Sequence, residues 1–292
     1  MSKVAIVTDS NSGITQEMAR ELGVYVLPMS FLINGKVVRE DIDITQAEFF
    51  KELENPNVSV STSQPAPAEV TDLWDRVLRE YDEIVYIPLS SGLSNSYQTA
   101  RLLAENYDGR VQVVNNQRIS VTMRQSVEDA QTLIGAGWNA EQIREKLEED
   151  KFNSSIYIMV DTLKYLKKGG RITPAAALIG SVLHIKPVLQ IQGEKLDAFA
   201  KARGAKQAKK IMLDAIRKDM DGRFHDFVEK GDYTIRYSYS EGDDPGEVEQ
   251  WVREIREAFP GADISGDPLS LVIGCHIGPG SLAITVNHKV RV

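Results

Sequence analysis

Three hydroxyl-rich segments carry the residue types that could hold an anion: Thr8 to Gly13 (TDSNSG), Ser61 to Pro65 (STSQP) and Ser90 to Ser96 (SSGLSNS). Each follows an apolar run with strand character. Ligands of a parallel sheet gather at the carboxyl ends of its strands. A helix that starts there adds free N–H groups and a partial positive charge, suited to phosphate or carboxylate. Serine and threonine add hydrogen bonds without adding charge. The same residues also serve as helix N-caps and turn formers, so for any one loop both readings stand. Three such loops on one sheet edge point to a shared anion site.

A fourth candidate is Gly274 to Gly280, GCHIGPG. His276 precedes a Gly-Pro-Gly turn that leads into a strand. A histidine there can donate to a carboxylate and change charge near neutral pH; a purely structural histidine is the competing reading. Cys275 reads as a small packing residue. Motifs for self-contained catalysis are missing. There is no Walker A loop, GxGxxG, CxxC or HExxH. His184, His225, His276 and His288 share no metal-ligand spacing, so neither a metal nor a cofactor is expected. Asp9-Ser10-Asn11 is similar to an aspartyl-phosphatase loop but lacks its second aspartate, and no GxSxG surrounds Ser90 or Ser91. The residues favour binding of an anion or small molecule over chemistry by this chain alone.

The elements that must position these residues alternate. Strands are expected at Lys3 to Thr8, Val24 to Ile33, Val58 onward, Glu83 to Leu89 and Arg110 to Asn115. Between them lie helices at Thr15 to Gly23, 46–54, Ala68 to Tyr81, 97–106 and Ser120 to Ala136. Asn34-Gly35 between two β-prone runs predicts a hairpin. Alternation of this kind implies a parallel sheet covered by helices on both faces. After the charged helix that ends near Lys151 the pattern changes to clustered strands (SSIYIMV, KPVLQIQ, EKLDAFAKA, DYTIRYSYS, SLAITVN) with two long helices between them. The expected fold is α/β in two domains: residues 1–151 as a three-layer α/β/α domain with a parallel sheet, and 152–292 as a two-layer domain with a mixed sheet.

Composition narrows the partners. The 292 residues carry a net charge of −8, which argues against broad binding to nucleic acid or anionic membrane. One cysteine excludes an internal disulfide framework and fits a reducing compartment. The N-terminus lacks a signal-peptide core, and the most apolar stretch, Pro174 to Ile185, is shorter than the roughly 20 residues that span a bilayer. A cytoplasmic location without stable membrane insertion is expected. Charge is uneven. Lys164 to Lys210 holds eleven basic residues against Glu194 and Asp197, a balance of +9, whereas Glu40 to Glu83 sums to −9. The two stretches are either solvated faces or a device that steers an acidic partner.

Taken in order, the motifs resemble the DegV family. They are Thr8-Asp9-Ser10, Thr62-Ser63-Gln64-Pro65, Ser90-Ser91-Gly92-Leu93-Ser94 with Tyr97-Gln98, Leu163 to Ile172 (LKYLKKGGRI), Lys186-Pro187 and His276-Ile277-Gly278-Pro279-Gly280. The resemblance covers nearly the whole chain. It implies a fatty acid buried between two domains, in a non-catalytic carrier subunit of bacterial fatty acid kinase. A separate ATP-dependent catalytic subunit would phosphorylate the acyl carboxylate. It also implies that Thr62, Ser63, Ser91, Gly92 and His276 hold the carboxylate, and that Arg171 and Arg203 face the kinase.

Physical arguments agree. Burying a 15-methylene tail contributes roughly 12 kcal/mol gross at about 0.8 kcal/mol per methylene, and a buried carboxylate needs several donors. A neutral cradle is expected to leave that carboxylate nucleophilic enough to attack ATP. Two alternatives remain: a regulatory binder of another lipid or amphipathic acid, and a stand-alone phosphotransferase or hydrolase. The chain departs from the family pattern at Asn95-Ser96, Asn115-Asn116, Ser120 to Arg124 and Gly204, and the bulkier Val121 to Arg124 segment is expected to reshape the acyl pocket.

Overall fold

A computed structural model describes residues 2–55, 57–179, 185–240, 242, 244 and 246–292. His184 lies outside the described residues. The chain forms two units: Met1–Thr45 with Ser59–Phe152 and Val290–Val292, and Gln46–Val58 with Asn153–Lys289. Relative to a division near Lys151, residues 46–58 belong with unit 2 and 290–292 with unit 1.

Unit 1 starts with β1 (Val4–Asp9) and α1 (Gln16–Leu22). Thr15 caps α1 by accepting from the Met18 N–H, as its position before the apolar repeat predicts. The expected strand from Val24 to Ile33 is in fact two. β2 (Tyr25–Leu27) pairs in parallel with β1, whereas β3 (Ser30–Ile33) runs antiparallel to β4 (Lys36–Arg39) in a separate sheet. Pro28 stands at the break, where a residue without an N–H cannot continue a ladder. The Asn34-Gly35 hairpin forms, with φ of 50° and 78°. After α2 (Gln46–Glu54) come β5 (Val60–Thr62), α3 (Pro67–Val77), β6 (Glu83–Ile87), α4 (Ser96–Ala104), β7 (Val111–Val113), α5 (Ser120–Gly135) and α6 (Ala140–Glu149).

The main sheet of unit 1 has the order β2-β1-β6-β7 and is parallel. Side chains of β1 alternate between its faces. Val4 and Ile6 pack with Ala19, Val127, Leu133 and Ile143 of α1, α5 and α6. Ala5 and Val7 pack with Val70, Leu73, Trp74 and Ala100 of α3 and α4. This is the three-layer α/β/α arrangement. β5 joins β3 and β4 in the small antiparallel sheet of order β4-β3-β5. Met123, part of the unusual Ser120–Arg124 segment, is fully buried in the α5 core. Arg124 pairs with Glu128 one turn on.

Unit 2 contains α2, β8 (Ser154–Met159), α7 (Lys164–Gly169), α8 (Pro174–Ile179), β9 (Lys186–Ile191), β10 (Asp197–Ala202), α9 (Ala205–Asp221), α10 (His225–Glu229), β11 (Tyr233–Tyr239), α11 (Gly246–Ala258), β12 (Ile264–Pro268), α12 (Leu271–Ile277) and β13 (Leu282–His288). Its sheet has the order β10-β9-β8-β13-β11-β12 and is mixed, with only β11 and β12 parallel among the described pairs. Met159, Val188, Ile284 and Val286 bury against Met212 and Ile216 of α9 and Trp251 and Ile255 of α11. No helix among the described residues is long and apolar enough to cross a membrane.

Candidate functional site

The first hydroxyl loop is spent on the fold. Asp9 is fully buried; its Oδ1 accepts from the N–H and Nδ2 of Asn11 at 2.9 and 2.7 Å, and its Oδ2 accepts from the Leu89 N–H at 3.0 Å. Ser10 donates to Glu40 and accepts from the Met29 N–H. Ser12 donates to the Asp9 carbonyl. Burial pushes the Asp9 carboxyl up to about 6 against the pull of the Leu89 and Asn11 donors. Here the capping reading wins. Asp9 has a further use: it pins Leu89, the residue just before the Ser90 loop.

That loop leaves one hydroxyl uncommitted. Ser90 is buried; its N–H donates to the Arg118 carbonyl, and its carbonyl accepts from the N–H groups of Leu93 and Ser94. The Gly92 N–H donates to Ser90 Oγ at 3.3 Å. Ser94 and Ser96 share a hydroxyl hydrogen bond at 2.7 Å. Ser91, half-buried, makes no side-chain hydrogen bond among the described residues. The second segment does not sit on the parallel sheet, contrary to the shared-edge expectation, because Thr62 ends β5 of the small sheet and pairs in register with Phe31. It is tied to the Ser90 loop's helix instead: Thr99 of α4 donates to Gln64 Oε1 at 3.2 Å. Thr62 is half-buried and Ser63 exposed.

Unit 2 supplies His276, in the last turn of α12. Ser270 caps this helix by accepting from the Ile273 N–H. Phe49 and Phe50 of α2 close over it; a Cβ on Gly274 would lie 3.1 Å from Phe50 Cζ and 3.4 Å from Phe49 Cε1. On the other side α7 comes so near that a Cβ on Gly169 would overlap His276 Nδ1 and sit 3.0 Å from Cε1. Gly169, the first of the Gly169-Gly170 pair, allows this close approach. The Arg171 guanidinium folds back and donates to the Gly169 carbonyl.

Burial, and then the Arg171 charge, hold His276 at about 4. The ring is therefore neutral at pH 7, which corrects the expectation that it changes charge near neutrality. Arg171→Gln is expected to raise the His276 titration point measurably above about 4 by NMR; an unchanged value would mean that burial acts alone. Arg203 is exposed after β10, and its backbone N–H donates to Gln207 Oε1. Neighbours neutralise part of the +9 stretch: Lys186 pairs with Asp161, Lys209 with Glu247 and Lys210 with Asp214. No group of three histidine, cysteine, aspartate or glutamate side chains able to hold a metal ion exists among the described residues.

A family profile described as uncharacterised protein, DegV family, matches residues 3–289. The chain belongs to the DegV family. A DegV domain-containing protein of Listeria innocua is 32% identical over 290 residues, covering 98% of this chain and 99% of the relative. Among solved structures, one described as fatty acid binding of a DegV family protein from Thermus thermophilus superposes with a TM-score of 0.87 at 30% identity, covering 98% of this chain and 99% of that one. Another, described as DegV, a fatty acid binding protein from Bacillus subtilis, gives 0.84 at 27% identity, covering 99% and 100%. Similarity along the full length supports the DegV two-domain fold.

Proposed function

We propose that this chain binds a long-chain fatty acid and presents its carboxylate to a separate ATP-dependent kinase subunit. The observation that supports fatty acid binding is the full-length likeness to the Thermus thermophilus protein described as binding a fatty acid. In this reading Thr62, Ser63, Ser91, Gly92 and His276 hold the carboxylate. The Ser91 hydroxyl is uncommitted, and the neutral His276 imidazole carries a single N–H. Neutral donors satisfy a buried carboxylate without the bidentate clamp an arginine would impose. Arg203 and Arg171 face the kinase; Arg171 also sets the field around His276. The chain performs no chemistry itself, needs no metal or cofactor, and works in the cytoplasm.

Native mass spectrometry before and after denaturation tests the reading. A co-purified fatty acid is expected, along with uptake of oleate by delipidated protein. Ser91→Ala should weaken oleate by about tenfold, the usual scale for a hydrogen bond to a charged group, and leave oleyl alcohol nearly unchanged. A lipid-free protein that refuses oleate would end the proposal.

A further inference from the structure

A cavity of about 310 Å³ lies in unit 1, and none of the residues proposed to hold the carboxylate lines it. It crosses the outer edge of β2, the edge strand of the parallel sheet. Arg20 of α1 contributes from one face of that sheet and Arg76 of α3 from the other, with Tyr25 and Tyr81 beside them. Val24 and Leu73, both buried, form part of an apolar floor. The two tyrosine rings meet edge to face with centroids 5.9 Å apart, and Lys3 Nζ stands 4.2 Å from the Tyr81 centroid.

The charge is one-sided. No carboxylate is among the lining residues. Arg20 is tied only through Nε, to the Gln16 carbonyl at 3.2 Å. The Arg76 side chain makes no hydrogen bond or ion pair among the described residues, although α3 also carries Glu69, Asp72 and Asp75. Glu80 reaches Tyr25 electrostatically but does not line the cavity. Two guanidinium groups without carboxylate partners, inside the −9 stretch and its neighbour, are an unusual placement for purely structural charges. Burial, Tyr81 and Glu80 push the Tyr25 phenol up, against the pull of Arg76.

We propose that this cavity is a second binding site, for a small oxyanion carried on a single flat apolar ring. Guanidinium forks match planar carboxylate and phosphate oxygens. The tyrosine rings and the apolar floor suit one ring. The cavity's volume, at the low end of the usual ligand-pocket range of about 300–1,000 Å³, suits one ring with its oxyanion. The site is independent of the fatty acid reading.

Phenyl phosphate titrated into the full isotope-labelled chain, followed by NMR, tests it. Saturable shifts are expected at Arg20, Tyr25, Arg76 and Tyr81. Arg20→Gln and Arg76→Gln should each weaken binding by about tenfold; both positions are exposed, and equal melting points would show that the variants fold. Phenol and inorganic phosphate should each bind at least about tenfold more weakly than the joined molecule. Benzoate in place of phenyl phosphate separates carboxylate from phosphate preference. The proposal is overturned if shifts gather at Ser91 and His276 instead, if both variants bind like the wild type, or if nothing saturates by about 10 mM.

Discussion

Replacing Gly169 with alanine is expected to displace His276 and to weaken oleate binding by about tenfold or more. The added Cβ would overlap Nδ1 and fall within 3.3 Å of Cγ. Neither helix can easily withdraw. The end of α7 is held by the Gly170 N–H on the Leu166 carbonyl at 3.0 Å and by Arg171 on the Gly169 carbonyl. α12 is held by its Ser270 cap and by Phe49 and Phe50 over Gly274. The imidazole is the part that moves, and overpacking of this kind costs about 1–3 kcal/mol. Gly170→Ala is the control. Its φ of +68° makes it strained, but no atom lies within 4 Å of the new Cβ. It should lose stability and keep its oleate affinity. Calorimetric titration and thermal melts read both quantities. A Gly169→Ala protein that binds oleate normally, with an unmoved His276 resonance, would sink the argument.

The two units are expected to respond to mild acid in opposite directions. His276 of unit 2 is held at about 4, against about 6.5 in an unfolded chain. Between these values the unfolded chain binds a proton that the folded one refuses. Unit 2 therefore loses stability as the pH falls from about 6.5 to 4, by about 2–3 kcal/mol at most after allowing for partial exposure. Asp9 and Asp129 of unit 1 behave oppositely. Burial raises both to about 6, although Arg118 pulls Asp129 down. Their folded forms hold protons more tightly than the unfolded chain. That contribution is complete below about 3.8 and disappears as the pH rises through about 6, by up to about 3 kcal/mol apiece. Hydrogen exchange at about pH 5 and about pH 7, corrected for intrinsic rates, reads the units separately. Amides of β1 and β6 should open less often at the lower pH, and those of β8 and β13 more often. Movement in the same direction would contradict the assignment.

Much of this was legible in the residues. Thr15, the Asn34-Gly35 turn and the continuous apolar run of β1 each announce local structure that tertiary packing then keeps. The order of the DegV motifs led to the fold and to the candidate residues. Other features depend on partners far away in the chain. Val24 to Ile33 reads as one apolar strand, and the change of sheet at Pro28 depends on pairing partners that the run itself does not disclose. Ser10 and Ser12 look like ligand groups until Glu40 and the Asp9 carbonyl take their hydroxyls. α12 is only seven residues long and ends at a Gly-Pro-Gly run that dominates the local pattern. The neutral state of His276 follows from burial and from Arg171, neither of which its own neighbours in sequence disclose.

The excursion of residues 46–58 into unit 2 also bears on how the protein is made. Gln46 donates to the carbonyl of Leu269, 223 residues later. At about 5–20 residues per second, α2 leaves the ribosome roughly ten to forty-five seconds before that partner exists. Phe49 and Phe50 spend the interval without α12, whose Gly274 they will cover. The return of Val290 to Asp129, 161 residues back, means that unit 1 also closes only after Val290 has been made. Neither unit is finished by the first half of synthesis. Such long sequence separations slow folding and leave an exposed aromatic pair for nascent-chain chaperones to shield.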